Sequence, residues 1–216
     1  MLLKQKGDKT RRKFLKVAFK VMSRTGFQAA GINEILRRTG LTKGAFYHHF
    51  DDQTAMGYAV VEEIIDELIT KRWIAPLAAG GDPLAMIPAA MRTAAKEMNN
   101  HDIKQGCPLG NLSAEMSALD AGFAQRIDAI YQKWRDAIAA ALTPVLLVGE
   151  DDPHQIATFI VSTVTGALAQ AKTTARRDIL TDAITELDFY LDVLRTNPKP
   201  TYTPPAPPTD MEDFLL

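Results

Sequence analysis

Apolar residues in this chain recur three and four positions apart almost from end to end, with no alternating run long enough for a sheet. That spacing lines them up along one side of a helix. Phe14, Val17, Ala18 and Val21 form the first stripe, and Leu15, Phe19 and Met22 add a second row. A helix apolar over so wide a face must be largely buried. Further stripes run through Met56, Val60, Ile64 and Leu68; Leu84, Ile87, Met91, Ala95 and Met98; Phe123, Ile127, Ile130, Trp134, Ile138 and Leu142; Ile156, Phe159, Ile160, Thr163 and Ala167; and Leu180, Ile184, Leu187, Leu191 and Leu194. The expected fold class is therefore all-α, with about nine helices. Asp8, Asp82, Asp120 and Asp152 read as helix caps, and Pro83 and Pro153 occupy first helical positions. Pro88 is expected to kink its helix or delay its start. Gly26 reads as a left-handed stop with Phe27 as its apolar partner. Residues 99–108, with Asn, Gly and Pro, read as a loop before a short helix over Leu109 to Ser117. Residues 198–216 read as a proline-rich tail with little to bury.

Charge is divided unevenly. Residues 1–50 hold twelve Lys or Arg and two acids, whereas the remainder holds 13 basic and 24 acidic residues. A basic head on an acidic body implies a polyanionic partner for the head alone. No apolar run approaches the ~18 residues of a membrane span, so no membrane partner is expected. No signal-peptide pattern is read at the start, and the single cysteine, Cys107, excludes an internal disulfide. A cytoplasmic location is the expectation.

Residues 31–50 read GINEILRRTGLTKGAFYHHF. Two short helices joined by Thr39-Gly40-Leu41 make a helix-turn-helix. Ile32, Ile35, Leu36, Leu41, Phe46 and Phe50 form the face that holds the second helix on the first. Thr42, Lys43, Gly44, Tyr47 and His48 are left facing outward. Thr42 and the helix-start amides suit a phosphate, and Lys43 neutralises one. Gly44 and Ala45 are small enough for close approach to a groove wall. Tyr47 and His48 lie one turn on, placed to donate to phosphates or base edges. With Arg37, these residues are the candidate DNA-binding set. His48 and His49 are adjacent and point about 100° apart, so they cannot easily share an ion; His101 and His154 lack ligand-spaced companions. No metal or other cofactor is expected.

The segment TKGAFYHHF, near residue 45 after one basic amphipathic helix, resembles the signature of the tetracycline-repressor (TetR) family. The resemblance is firm over residues 8–68. Two departures stand out. Ala30-Gly31 replaces the usual Ser or Thr cap of the motif's first helix, and Asp51-Asp52-Gln53 stands where many members begin the fourth helix with a phosphate-binding Lys. The resemblance implies a DNA-binding domain at 8–68 and an effector-binding, dimerising domain at 69–197. It further implies a homodimer, a palindromic double-stranded operator and release by a small-molecule effector, with no enzymatic activity. The small residues Ala157, Ser162, Gly166, Ala167 and Ala171, with the leucine stripe that follows, are expected at the dimer contact.

Candidate effector-lining residues are Met91, Met98, Cys107, Met116, Phe123, Ile127, Tyr131, Trp134, Phe159 and Thr163. The stretch GCPLGNLSAEMSAL (106–119) resembles a segment of a TetR subgroup, some of whose members respond to reactive electrophiles or small unsaturated acids. Cys107 precedes a helix start, where amide dipoles favour a thiolate, with Lys104 nearby to help. A redox- or electrophile-sensing repressor acting through Cys107 is thus the alternative. A Cys-dependent enzyme and a non-regulatory DNA-binding protein are weaker ones. Glu115 is expected to meet a helix end.

Overall fold

A computed structural model of the chain describes residues 2–146 and 152–196, and these form ten helices and no strand. The all-helical expectation holds. The tail read at 198–216 lies outside the described residues. The first helix, α1, spans Leu2–Thr25, so it begins before Asp8, which lies within it rather than capping it. Its stripes land as the spacing requires: Phe14, Leu15 and Ala18 are fully buried. Gly26 stops it at φ 83°.

Helices α2 (Ile32–Thr39) and α3 (Lys43–Tyr47) follow. Gly40 ends α2 in the left-handed conformation, φ 65°, which a side chain adopts only at a cost. Gly31 starts α2 without a side-chain cap bond, whereas the Thr42 hydroxyl caps α3 by accepting the Ala45 N–H at 3.1 Å. Phe14 meets Phe46 and Phe50 edge-on, with ring centroids 5.7 and 6.2 Å apart. Edge-to-face packing of this kind fixes orientation as well as burying area.

Helix α4 begins at Gln53 and continues in one run to Ala79. It widens twice into i→i+5 turns, at Val61–Ile65 and Thr70–Ile74, and tightens over Ala75–Ala79, where Pro76 has no N–H to give. Asp52 caps it, accepting from the Ala55 N–H at 2.7 Å. The acid that stands in place of a phosphate-binding lysine therefore has a structural use.

The body adds α5 (Pro83–Glu97), α6 (Asn100–Gln105), α7 (Pro108–Met116), α8 (Ala121–Leu142), α9 (Pro153–Thr174) and α10 (Asp178–Thr196). Pro88 sits inside α5, which runs through it. Helix α6 replaces part of the expected loop: Asn99 and Asp102 close a reciprocal capping box, so the Asn that signals a loop here starts a helix. Helix α9 packs on α8, α10 and α6, and α5 packs on α10. Ala157, Ala167 and Ala171 are buried within the chain. Of the small residues expected at a dimer contact, only Ser162 and Gly166 face out. Among the described residues, no helix is long and apolar enough to cross a membrane.

Candidate nucleic-acid interface and its links to the body

The outward row of the motif is where the pattern places it. Thr42, Lys43, Gly44 and His48 are exposed, Ala45 is half-buried, and Tyr47 is 48% exposed although large and aromatic. Phe46, between them, is fully buried. Five residues are too few to hold a helix by themselves; the Phe14–Phe46–Phe50 contacts and the Thr42 cap hold α3. Because the Thr42 hydroxyl only accepts at its cap, its O–H stays available to donate. The Lys43 ammonium lies 5.8 Å from the Tyr47 ring centre, which gathers a cation and a phenol on one exposed strip.

Two candidates behave differently from the rest of that row. Arg37 is exposed, but its guanidinium makes a fork with Glu34 through two 2.8 Å bonds. Arg38 shares the same carboxylate. The two arginines hold the Glu34 carboxyl down to about 2, so it stays ionised and masks part of the motif's charge. His49 is half-buried against the Phe14 ring, and desolvation, then His48 and Arg11, lower its pKa.

The turn between α1 and α2 is tied to the body by residues far away in sequence. The Glu115 carboxylate, on α7, accepts the backbone N–H groups of Phe27 and Gln28, both at 2.9 Å. Glu115, expected to meet a helix end, instead clamps this turn at two points. Gln53 donates to the Phe27 carbonyl at 3.2 Å. The Phe27 ring packs on Phe123 with centroids 4.7 Å apart, over Gly57, where an added Cβ would stand 2.5 Å from Phe27 and 2.7 Å from Phe123. Tyr58 donates to Asp120 at 2.7 Å, and Asp120 also caps α8. Local periodicity carries no sign of these links, because the partners lie from 26 residues apart, for Gln53 and Phe27, to 88, for Glu115 and Phe27, and further still for the Phe27–Phe123 rings.

In the body, Met91, Met98, Cys107, Met116, Phe123, Ile127 and Trp134 are all at most 7% exposed, and Tyr131 is half-buried. Trp134 stacks on Trp73 at 5.5 Å, and its indole N–H is buried with no partner among the described residues. Phe159 and Thr163 do not belong with this set. Phe159 is 47% exposed and leans on Tyr190, and Thr163 lines an outer groove between α9 and α10. Their positions on α9 lie beside its buried stripe, which runs through Ile156, Ile160 and Val164. Cavities of about 640, 490 and 510 Å³ open along the junction of α1 with the body; of the ten candidates only Met98 lines any of these three.

Cys107 contradicts the thiolate expectation. It is buried, its sulfur accepts the Gly110 N–H at 3.5 Å, and burial pushes the thiol pKa up from 9.0. The amides of Gly110 and Leu109 pull the other way, as a helix start should, but desolvation outweighs them. Lys104 is exposed and takes no part; the cation that acts on the thiol is Arg72. A neutral, buried thiol lacks the basis for redox or electrophile sensing.

The family model described as "Bacterial regulatory proteins, tetR family" matches residues 14–60, and "Transcriptional regulator LmrA/YxaF-like, C-terminal domain" matches 83–186. The chain belongs to the TetR family of transcriptional regulators. It is 28% identical over 170 residues to the transcriptional regulator AcuR of Cereibacter sphaeroides, covering 74% of each chain. It is 29% identical to an HTH-type transcriptional regulator of the lacX 3′ region of Lactococcus lactis, covering 87% of this chain and 92% of that one. A TetR regulatory protein from Rhodobacter sphaeroides superposes with a TM-score of 0.73 at 25% identity, over 83% of this chain and 97% of that one. The TetR regulator binds DNA through its helix-turn-helix and is not an enzyme. Among the described residues no cluster of His, Cys, Asp or Glu could hold a metal.

Proposed function

We propose that this TetR regulator is a cytoplasmic, homodimeric repressor released from a palindromic operator by a small-molecule effector. Residues 8–68 serve as the reading unit and 69–197 as the sensing and pairing unit. Thr42, Lys43, Gly44, Ala45, Tyr47 and His48 contact the duplex, and Arg37 joins them by sharing or leaving Glu34. The observation that carries this reading is the exposed Lys43–Tyr47 strip on a helix whose reverse face is fully buried.

A reading helix this short spans few bases, so useful specificity needs two copies about 34–36 Å apart on successive turns of the duplex. Exposed Phe159, Phe189 and Val193 on α9 and α10 supply apolar surface for pairing. Repression needs only occupancy of a promoter. Release needs an effector whose binding favours a different head position, and a coupling of ~1–3 kcal/mol changes affinity ~5- to 150-fold. The Glu115 clamp gives the body a direct hold on the head.

Selection of bound sequences from random duplexes, with sedimentation of the free protein, tests the proposal. An inverted repeat and a dimer are expected. A monomer with no sequence preference overturns it.

A further inference from the structure

The cavity of about 510 Å³ lies between α1, α4, α6 and α7, within the ~300–1,000 Å³ usual for small-ligand sites. Phe19, Leu68 and Met98 give it apolar walls, and Lys20, Arg24 and Arg72 converge on it. Among the described residues none of these three cations has a carboxylate partner. Asp102, the one acid on the wall, accepts the Asn99 N–H to close the cap of α6. Arg38 also reaches the cavity but is engaged with Glu34.

Arg72 is the unusual member. It is half-buried in the second widened turn of α4, whereas its neighbours Lys71 and Arg12 both pair with Glu67. A guanidinium withdrawn from water beside two like charges is unfavourable unless an anion joins it. Its fork matches the two oxygens of a carboxylate or a phosphate.

We propose that this cleft takes an amphipathic organic anion, its oxyanion head on Arg72 and its apolar part between Phe19, Leu68 and Met98. The proposal rests on the effector-release reading and gives that effector a class and a place. An anion held there bridges Arg72 to Lys20 and Arg24 on α1, the helix on which α3 packs. Drawing these together moves the reading head relative to the body.

Octanoate, octyl phosphate and octan-1-ol are titrated into the full chain, followed by tryptophan fluorescence, since Trp73 adjoins Arg72, and by thermal shift. The expected result is binding of one or both anions at least tenfold tighter than the alcohol, with the two anions distinguishing a carboxylate from a phosphate head. Arg72→Gln is expected to lose at least tenfold for the anion and nothing for the alcohol, and Arg72→Lys to recover part of it. Absence of anion binding, equal binding of alcohol and anion, or unchanged anion binding by Arg72→Gln overturns the site. Anion binding that leaves operator affinity unchanged overturns the effector role and keeps the site. Failure of the untreated protein to prefer an operator overturns the repressor reading alone.

Discussion

The reading head and the head–body junction are built on opposite principles. In the head, one local stretch supplies both the packing and the proposed contact surface: Phe46 anchors α3 while Lys43 and Tyr47, close to it in sequence, stay in solvent. At the junction, groups are brought together from distant segments: Glu115 meets Phe27 and Gln28, and Arg72 lines the same cavity as Lys20 and Arg24. A surface made from one short segment tolerates change in the rest of the chain. A junction made from four helices ties the head's position to the packing of the body.

The contrast is broken most severely by removing the head's anchor. Phe46→Ala empties a fully buried aromatic site and is expected to cost about 3–5 kcal/mol, read by urea unfolding, with DNA binding lost because α3 no longer forms. A smaller, purely positional effect is expected at the junction. Glu115→Ala leaves two backbone donors without their carboxylate, but one of the two bonds is exposed and the other only part-buried, so water replaces the acceptor and the cost is expected to be about 1 kcal/mol per bond. Hydrogen exchange is expected to accelerate at Phe27 and Gln28 while the core of α8 stays protected. Equal protection in the variant would mean that the clamp holds nothing.

The smallest expected effect is on the body alone, at alkaline pH. Cys107 is neutral when protonated, and its folded pKa is raised above the ordinary 9.0. Tyr131 is pushed up to about 12, first by burial. Both therefore contribute stability that is whole below their unfolded values and is lost as pH rises through the folded ones. The unfolding free energy measured in urea is expected to fall above pH 9, by at most about 1.4 kcal/mol per pH unit for one group. Cys107→Ala is expected to flatten the first part of that fall.

How much could be read beforehand follows from the same contrast. The helix-turn-helix was legible because Gly40, Thr42 and Phe46 act within a few residues, where spacing carries the information. Helix α6 was missed because Asn99 serves equally well as loop or cap, and only Asp102 beside it decides. The thiolate expectation for Cys107 failed because a helix start is visible in sequence while depth of burial is not. Phe159 and Thr163 read as inward-facing because they flank a buried stripe closely enough to pass for part of it. Arg72 carries no local signal, since lacking a carboxylate partner among the described residues is a property of the folded chain.

Contact between the exposed strip of α3 and the duplex is the proposal on which the rest depends. Fluorescence anisotropy with the selected duplex, comparing the unaltered protein with Lys43→Ala/Tyr47→Ala, tests it most directly. A loss of at least ~25-fold is expected, from ~1–3 kcal/mol per lost contact, with the melting temperature unchanged and the salt slope reduced by about one. Affinity within twofold of the unaltered protein would contradict it.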